Sequence, residues 1–202
     1  AVNVPQWNTL TIEPGVDVLF DADVPFVANG FVRAYGTEAQ NIRFMNGMAA
    51  EWGGIRLSGG VESVFEFVQI SGGSADEGGG LHVEGLYTSA TLVNSVISGN
   101  HAVQQGGGIW VGSNCGANLT RCVLRDNVVD WAGGGGGFTT SGNLFFDRCT
   151  IVSNDAQAIG SAGRIGSGGQ LRLRSCIVWG NVGGAFQVDA GSALDVMYSD
   201  LQ

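Results

Sequence analysis

The sequence predicts an all-β solenoid in which a single chain winds through about seven coils of ~27 residues. Three observations carry that prediction: one integer repeat shared by several residue series, a period-2 alternation inside each repeat, and 35 glycines in 202 residues. Glycine stands at more than twice its usual share of about 7%, with no Gly-X-Y period, which signals turns rather than collagen. Hydrophobic residues make up 44% of the chain, enough to exclude disorder.

Residues 1–60 follow the repeat loosely. "LTIEPGVDVLF" alternates Leu10/Ile12 and Val16/Val18/Phe20 about a Pro-Gly turn, and "NIRF" and "WGGIRL" follow. They read as irregular lead-in coils of one solenoid domain spanning 1–202, whose regular coils occupy 61–202. From Phe65 the register tightens to a single constant step, the length of one coil. Phe65, Leu92, Leu119, Phe146 and Leu173 follow one another at that step, as do Ile70, Ile97, Leu124, Ile151 and Val178. Ala90, Ala117, Leu144 and Leu171 keep it too. So do Val68, Ser95, Cys122, Cys149 and Cys176, and Asn100, Asn127, Asn154 and Asn181, preceded by Gly73. Equivalent residues are expected to stack in parallel strands about 4.8 Å apart.

Inside a unit, "LRLRSCIV" sends Leu171 and Leu173 to one side and Arg172 and Arg174 to the other, the alternation of a half-buried strand. A second strand follows each glycine phrase, in "WGGIRL", "GGGLHV", "GGGIWV", "GGGGGF" and "GGAF", where a tight turn with positive φ is expected. No stretch sustains a capped 3.6-residue pattern, so helices are not expected. "DAQAIGSAGRIGSGG", between Asn154 and Leu171, should loop out. "LDVMYSDLQ" restarts the unit with Val196, Ser199 and Leu201 at a shortened step, leaving an exposed edge that further chain or another subunit should cover.

A position that takes valine, serine or cysteine calls for a small inward residue, so the cysteines are expected to be packed thiols. Parallel neighbours aim their Cβ atoms alike, which is poor disulfide geometry, and a ladder is a line rather than a point where metal ligands converge. Cys115, outside the series, is left open as a partner. The asparagines are expected in left-handed turn positions, with amides hydrogen-bonding from coil to coil.

The interleaved phrases "GGGI/GGGL/GGAF" and "ISGN/LRDN/IVSN/VWGN" resemble the right-handed parallel β-helix repeat proteins over residues 53–202. More narrowly, they are similar to the GGA-aliphatic and F-x-x-N repeats of chlamydial polymorphic outer-membrane proteins and related autotransporter-like passengers. The resemblance implies a right-handed parallel β-helix that is secreted or displayed on a bacterial outer surface or in the periplasm, as an adhesive, binding or spacer module. The same pectin lyase-like fold also carries polysaccharide lyases and hydrolases, which makes a polysaccharide-degrading enzyme the alternative.

Charge narrows the partners. The chain has a net charge of −9 and no lysine, with eleven acids and three arginines in residues 1–100 against seven and six in 101–202. Such a surface repels phosphate backbones, so nucleic acid is not expected. No apolar run reaches the roughly 18 residues of a membrane span, so membrane insertion by this chain is not expected either. Calcium-dependent lyase chemistry would need a carboxylate cluster, and neither Asp21/Asp23 nor Asp126/Asp130 recurs across coils to build one. The Asn-Thr-Asp and Gly-His-Asp runs of polygalacturonases are absent. No catalytic residue, metal or cofactor is therefore named.

Two outward groups remain as ligand-binding candidates for a polysaccharide or a surface protein. Phe145, Arg172, Arg174 and Trp179 are expected to share one exposed face, where aromatic and guanidinium groups suit sugars or proteins. Arg56, His82 and Trp110 are expected to form a solvated row on three adjacent coils, with Glu84 nearby. His101 is read as a loop residue.

Overall fold

Alternation converts every coil into short strands whose inward side chains meet at a common axis. The computed structural model describes residues 2–48, 51–131, 134–157 and 160–202, which form a right-handed parallel β-helix of about seven turns with no helix among them. Three eight-stranded parallel sheets run the length of the rod. Sheet A extends from Val2–Val4 to Phe186–Val188, sheet B from Thr9–Ile12 to Ala193–Met197, and sheet C from Asp17–Phe20 to Asp200–Leu201. Strands Ser74–Glu77, His101–Gln105 and Val128–Val129 add a parallel ribbon, reached after sheet C and before sheet A in the central coils.

The register explains which parts of the repeat are visible. Sheet B keeps one unvarying step through its middle, Ser89 pairing with Gly116, Gly116 with Asn143 and Asn143 with Gln170. Sheet A does not. Its steps lengthen from Leu81 to Ile109 and again from Ile109 to Phe138, then shorten from Phe138 to Gly163. Glycine runs and the ribbon absorb the difference. Residues 1–60 supply strands to all three sheets, with steps as unequal as Thr9 to Phe31 and Arg33 to Val64.

The stretch expected to loop out is instead a coil. Gly163–Ile165 is a sheet A strand between Phe138–Thr140 and Phe186–Val188; Ala158 and Ile159 lie outside the described residues. It escapes notice because its inward position is glycine. A Cβ at Gly163 would overlap the buried Phe138 ring, which fills that layer and packs near Phe186, with centroids 6.1 Å apart. Near the other end, Trp52 fills the axis, lying flat on Phe20 at 4.3 Å while its indole N–H donates to the Ser71 carbonyl at 2.8 Å.

Sheet C is bracketed by two corners. Entering it, one residue per coil takes φ of 50–54°: Phe67, Asn94, Arg121, Arg148 and Ser175. The next residue points inward, and its backbone N–H is turned off the strand-to-strand ladder. A serine or cysteine one coil on accepts it: Ser95 Oγ from Val68 at 3.0 Å, Cys149 Sγ from Cys122 at 3.3 Å, and Ser199 Oγ from Cys176 at 3.0 Å. The same hydroxyl or thiol donates to the carbonyl two residues earlier, as Ser95 does to Val93 and Cys149 to Asp147. The position therefore takes the small inward residue expected, and from the second coil of the ladder on it also uses a heteroatom as acceptor. All four thiols are free and buried, and Cys115 donates to the Gly85 carbonyl at 3.0 Å.

Leaving sheet C, the asparagine amides do hydrogen-bond from coil to coil. Asn127 Oδ1 accepts both the backbone N–H and the Nδ2–H of Asn100, at 3.1 and 3.0 Å. Asn127 Nδ2 donates to the Ile97 carbonyl at 3.1 Å and to Asn154 Oδ1 at 3.0 Å. The left-handed residue is the one before each asparagine (Gly99, Asp126, Ser153, Gly180), not the asparagine itself. The left-handed glycines ahead of sheet A stand three residues before the strand, at Gly78, Gly106 and Gly135.

Candidate functional site

Since inward positions are consumed by the core, recognition must use the outward ones. On sheet B these form columns fixed by register: Thr91, Asn118, Phe145, Arg172 and Asp195 in one, Ser89, Gly116, Asn143, Gln170 and Ala193 in the next. Between them lies a shallow depression of about 190 Å³ bordered by Asn118, Asn143, Phe145, Gln170, Arg172 and Asp195. Asn118, Asn143, Gln170 and Arg172 are exposed and Phe145 is half-buried. Gly116 leaves a gap in its column without backbone need: its φ is ordinary and an added Cβ would meet nothing closer than 3.7 Å.

The charges at this face are spent on one another. Arg172 Nε donates to Asp195 Oδ2 at 3.1 Å. Asp147 is clasped by Arg174 at 3.0 Å and Arg148 at 2.6 Å. Burial pushes the Asp147 pKa up, and the two guanidinium groups outweigh it, holding the carboxylate below its ordinary range. The pattern extends over the molecule. Seven of the nine arginines pair with carboxylates. Arg33 donates to the Glu62 carbonyl at 2.6 Å beside the Phe31 ring, and Arg121 donates to the Asn94 amide oxygen at 2.7 Å.

Of the four residues expected on one face, three are together. Phe145, Arg172 and Arg174 lie on sheet B, with Phe145 beside Arg172 and Asp147 beside Arg174. Trp179 is outward and 50% exposed, opposite Val152, but it belongs to sheet C. The left-handed turn at Ser175 puts it around the corner from the depression.

Arg56, His82 and Trp110 do stand side by side on sheet A. The row is not solvated at its centre: His82 is only 5% exposed, stacked on Trp110 with ring centroids 4.4 Å apart. The ribbon bends over it, and the Glu77 carbonyl lies 3.0 Å from His82 Nδ1. A carbonyl can only accept, so Nδ1 carries a proton, and in the neutral ring Nε2 is an acceptor. Among the described residues Nε2 is buried without a hydrogen-bond donor, 3.4 Å from Glu84 Oε2, whose other oxygen accepts from Arg56 Nε at 2.8 Å. Burial lowers the His82 pKa, opposed first by the hydrogen bond to the Glu77 carbonyl, aided by Arg56 and opposed again by Glu84. Beside the row, Arg56, Asp76, Glu77 and Gln104 border a groove of about 340 Å³.

His101 lies in a ribbon strand rather than a loop, its ring 3.0 Å from Asp130 and 3.2 Å from the Ser74 hydroxyl. Among the described residues no group of three His, Cys, Asp or Glu side chains is placed to hold a metal ion. The three amides at the depression were not anticipated, although the signal existed: one repeat before Phe145 stands Asn118, and Asn143 and Gln170 occupy the adjoining outward column.

No curated protein and no solved structure matches the chain. Residues 30–199 match the family described as "Right handed beta helix region", and the chain belongs to that family.

Proposed function

We propose that this chain is a binding module, secreted or displayed at a bacterial surface, whose outer sheet B face holds an extended partner. The observation that carries this reading is the depression itself, where three consecutive coils each bring one exposed amide beside the single Phe145 ring on a rigid support. The resemblance of the glycine and asparagine phrases to passenger repeats supports the location. The depression offers no free acid–base pair, since its one carboxylate, Asp195, is tied to Arg172. Contacts on so open a surface give modest affinity.

Polysaccharide cleavage is the second reading, favoured by Asp76 and Glu77 beside Arg56 in the ribbon groove, where two carboxylates could serve as acid and base. One assay separates the two: polysaccharides are incubated with the protein and scored for both retention and products. Retention without products, weakened by Phe145→Ala, is expected. Product formation abolished by Asp76→Asn with Glu77→Gln would replace the binding reading with the enzymatic one.

A further inference from the structure

Resting on the sheet B binding reading, we infer that the depression takes an uncharged, hydroxyl-rich polymer such as a neutral glycan, laid along the rod across successive coils. The first ground is the state of the amides. Asn118, Asn143 and Gln170 sit on three consecutive strands of sheet B, Asn118 and Asn143 on neighbours and Gln170 directly beside Asn143, with strands about 4.8 Å apart. Their side chains make no hydrogen bond within the described residues. Each offers a donor pair and an acceptor, the set that a vicinal diol satisfies. A partner lacking hydroxyl or amide groups would strand those atoms on docking, which is costly.

The second ground is charge. Arg172 and Asp195 neutralise each other at the rim, and no lysine exists to supply a further cation. A polyuronate would have to break the Arg172–Asp195 pair while approaching a molecule of net charge −9. The third ground is Phe145, half-buried at the floor between Asn118 and Arg172, which gives the C–H face of a sugar ring an apolar surface. An extended peptide is less well served. The central sheet B strands are hydrogen-bonded on both sides, so the face presents side chains and no free backbone edge.

The test is gel retention with four probes: mixed-linkage β-glucan and galactomannan as neutral polymers, polygalacturonate and alginate as anionic ones. The intact protein is compared with Asn143→Ala/Gln170→Ala. Both positions are exposed, so an unchanged unfolding midpoint confirms that the variant is folded. Retention by a neutral polymer, insensitive to added salt and weakened roughly tenfold in the variant, is the expected result. Retention by the anionic polymers alone, relieved by salt, would overturn the ligand class and leave the face as a binding surface. Retention by none of the four would overturn both.

Discussion

The corners of sheet C and the outer face of sheet B use the same side-chain amide for opposite ends. Asn100, Asn127 and Asn154 are buried, recur once per coil, and have their donors and acceptors taken up by the coils on either side. Asn118, Asn143 and Gln170 are exposed, belong to no long series, and keep theirs open. The difference lies in satisfaction rather than residue type. An amide whose hydrogen bonds close inside the rod fixes the winding of the chain; one left open is available to a partner. Substitution should therefore dissociate the two, with corner variants losing stability and face variants losing binding.

The largest effect is expected at Asn127. Asn127→Ala removes the acceptor of two buried donors on Asn100, each costing about 1–3 kcal/mol when unpaired. Urea unfolding should show a loss of at least about 2 kcal/mol; a loss below about 1 kcal/mol would mean that the amide ladder is not what closes the corner.

A smaller loss should follow Cys149→Val. Valine fits the space but leaves the Cys122 N–H without its sulfur acceptor, for about 1–3 kcal/mol, whereas Cys149→Ser keeps the acceptor and should be the milder change. Equal midpoints for the two would return the ladder to simple packing. In the intact protein, the Cys122 sulfur and burial push the Cys149 thiol up to about 12, so it should stay unmodified by thiol reagents until urea unfolds the coil.

In the covered row on sheet A, His82 makes stability depend on pH. Folding lowers the His82 pKa below the 6.5 of the unfolded chain, so the unfolded state takes up the proton first. His82 thus adds stability that is fully present above pH 6.5 and lost as pH falls below it. Unfolding midpoints measured from neutral to mildly acidic pH should fall less in His82→Gln than in the parent protein. Parallel curves would show that the ring does not sense its burial.

What the sequence disclosed follows the same division. Sheets B and C were legible because Phe65 to Leu173 and Ile70 to Val178 keep one step. Sheet A was only partly so, since loops of unequal length precede it and Gly163 replaces an apolar residue at one inward position. The ribbon strand that covers His82, Ser74–Glu77, reads SADE with no buried apolar position and so carries no alternation to reveal it. Valine at position 68 masked the hydrogen-bonding role of Ser95 and the cysteines, because the first member of that ladder needs only its N–H. At the face, the constant step gave Phe145 beside Arg172, but the left-handed turn that carries Trp179 onto another sheet and the partners that engage some amides and not others are set by the three-dimensional fold.

The most direct test follows side-chain amide signals by nuclear magnetic resonance while a neutral β-glucan oligosaccharide is titrated in. The amides of Asn118, Asn143 and Gln170 should shift with the added sugar, while those of Asn100, Asn127 and Asn154 stay fixed. Shifts confined to the buried asparagines would contradict the division between closed and open amides on which this account rests, and an unmoved spectrum at saturating sugar would contradict the neutral glycan as the partner of the open ones.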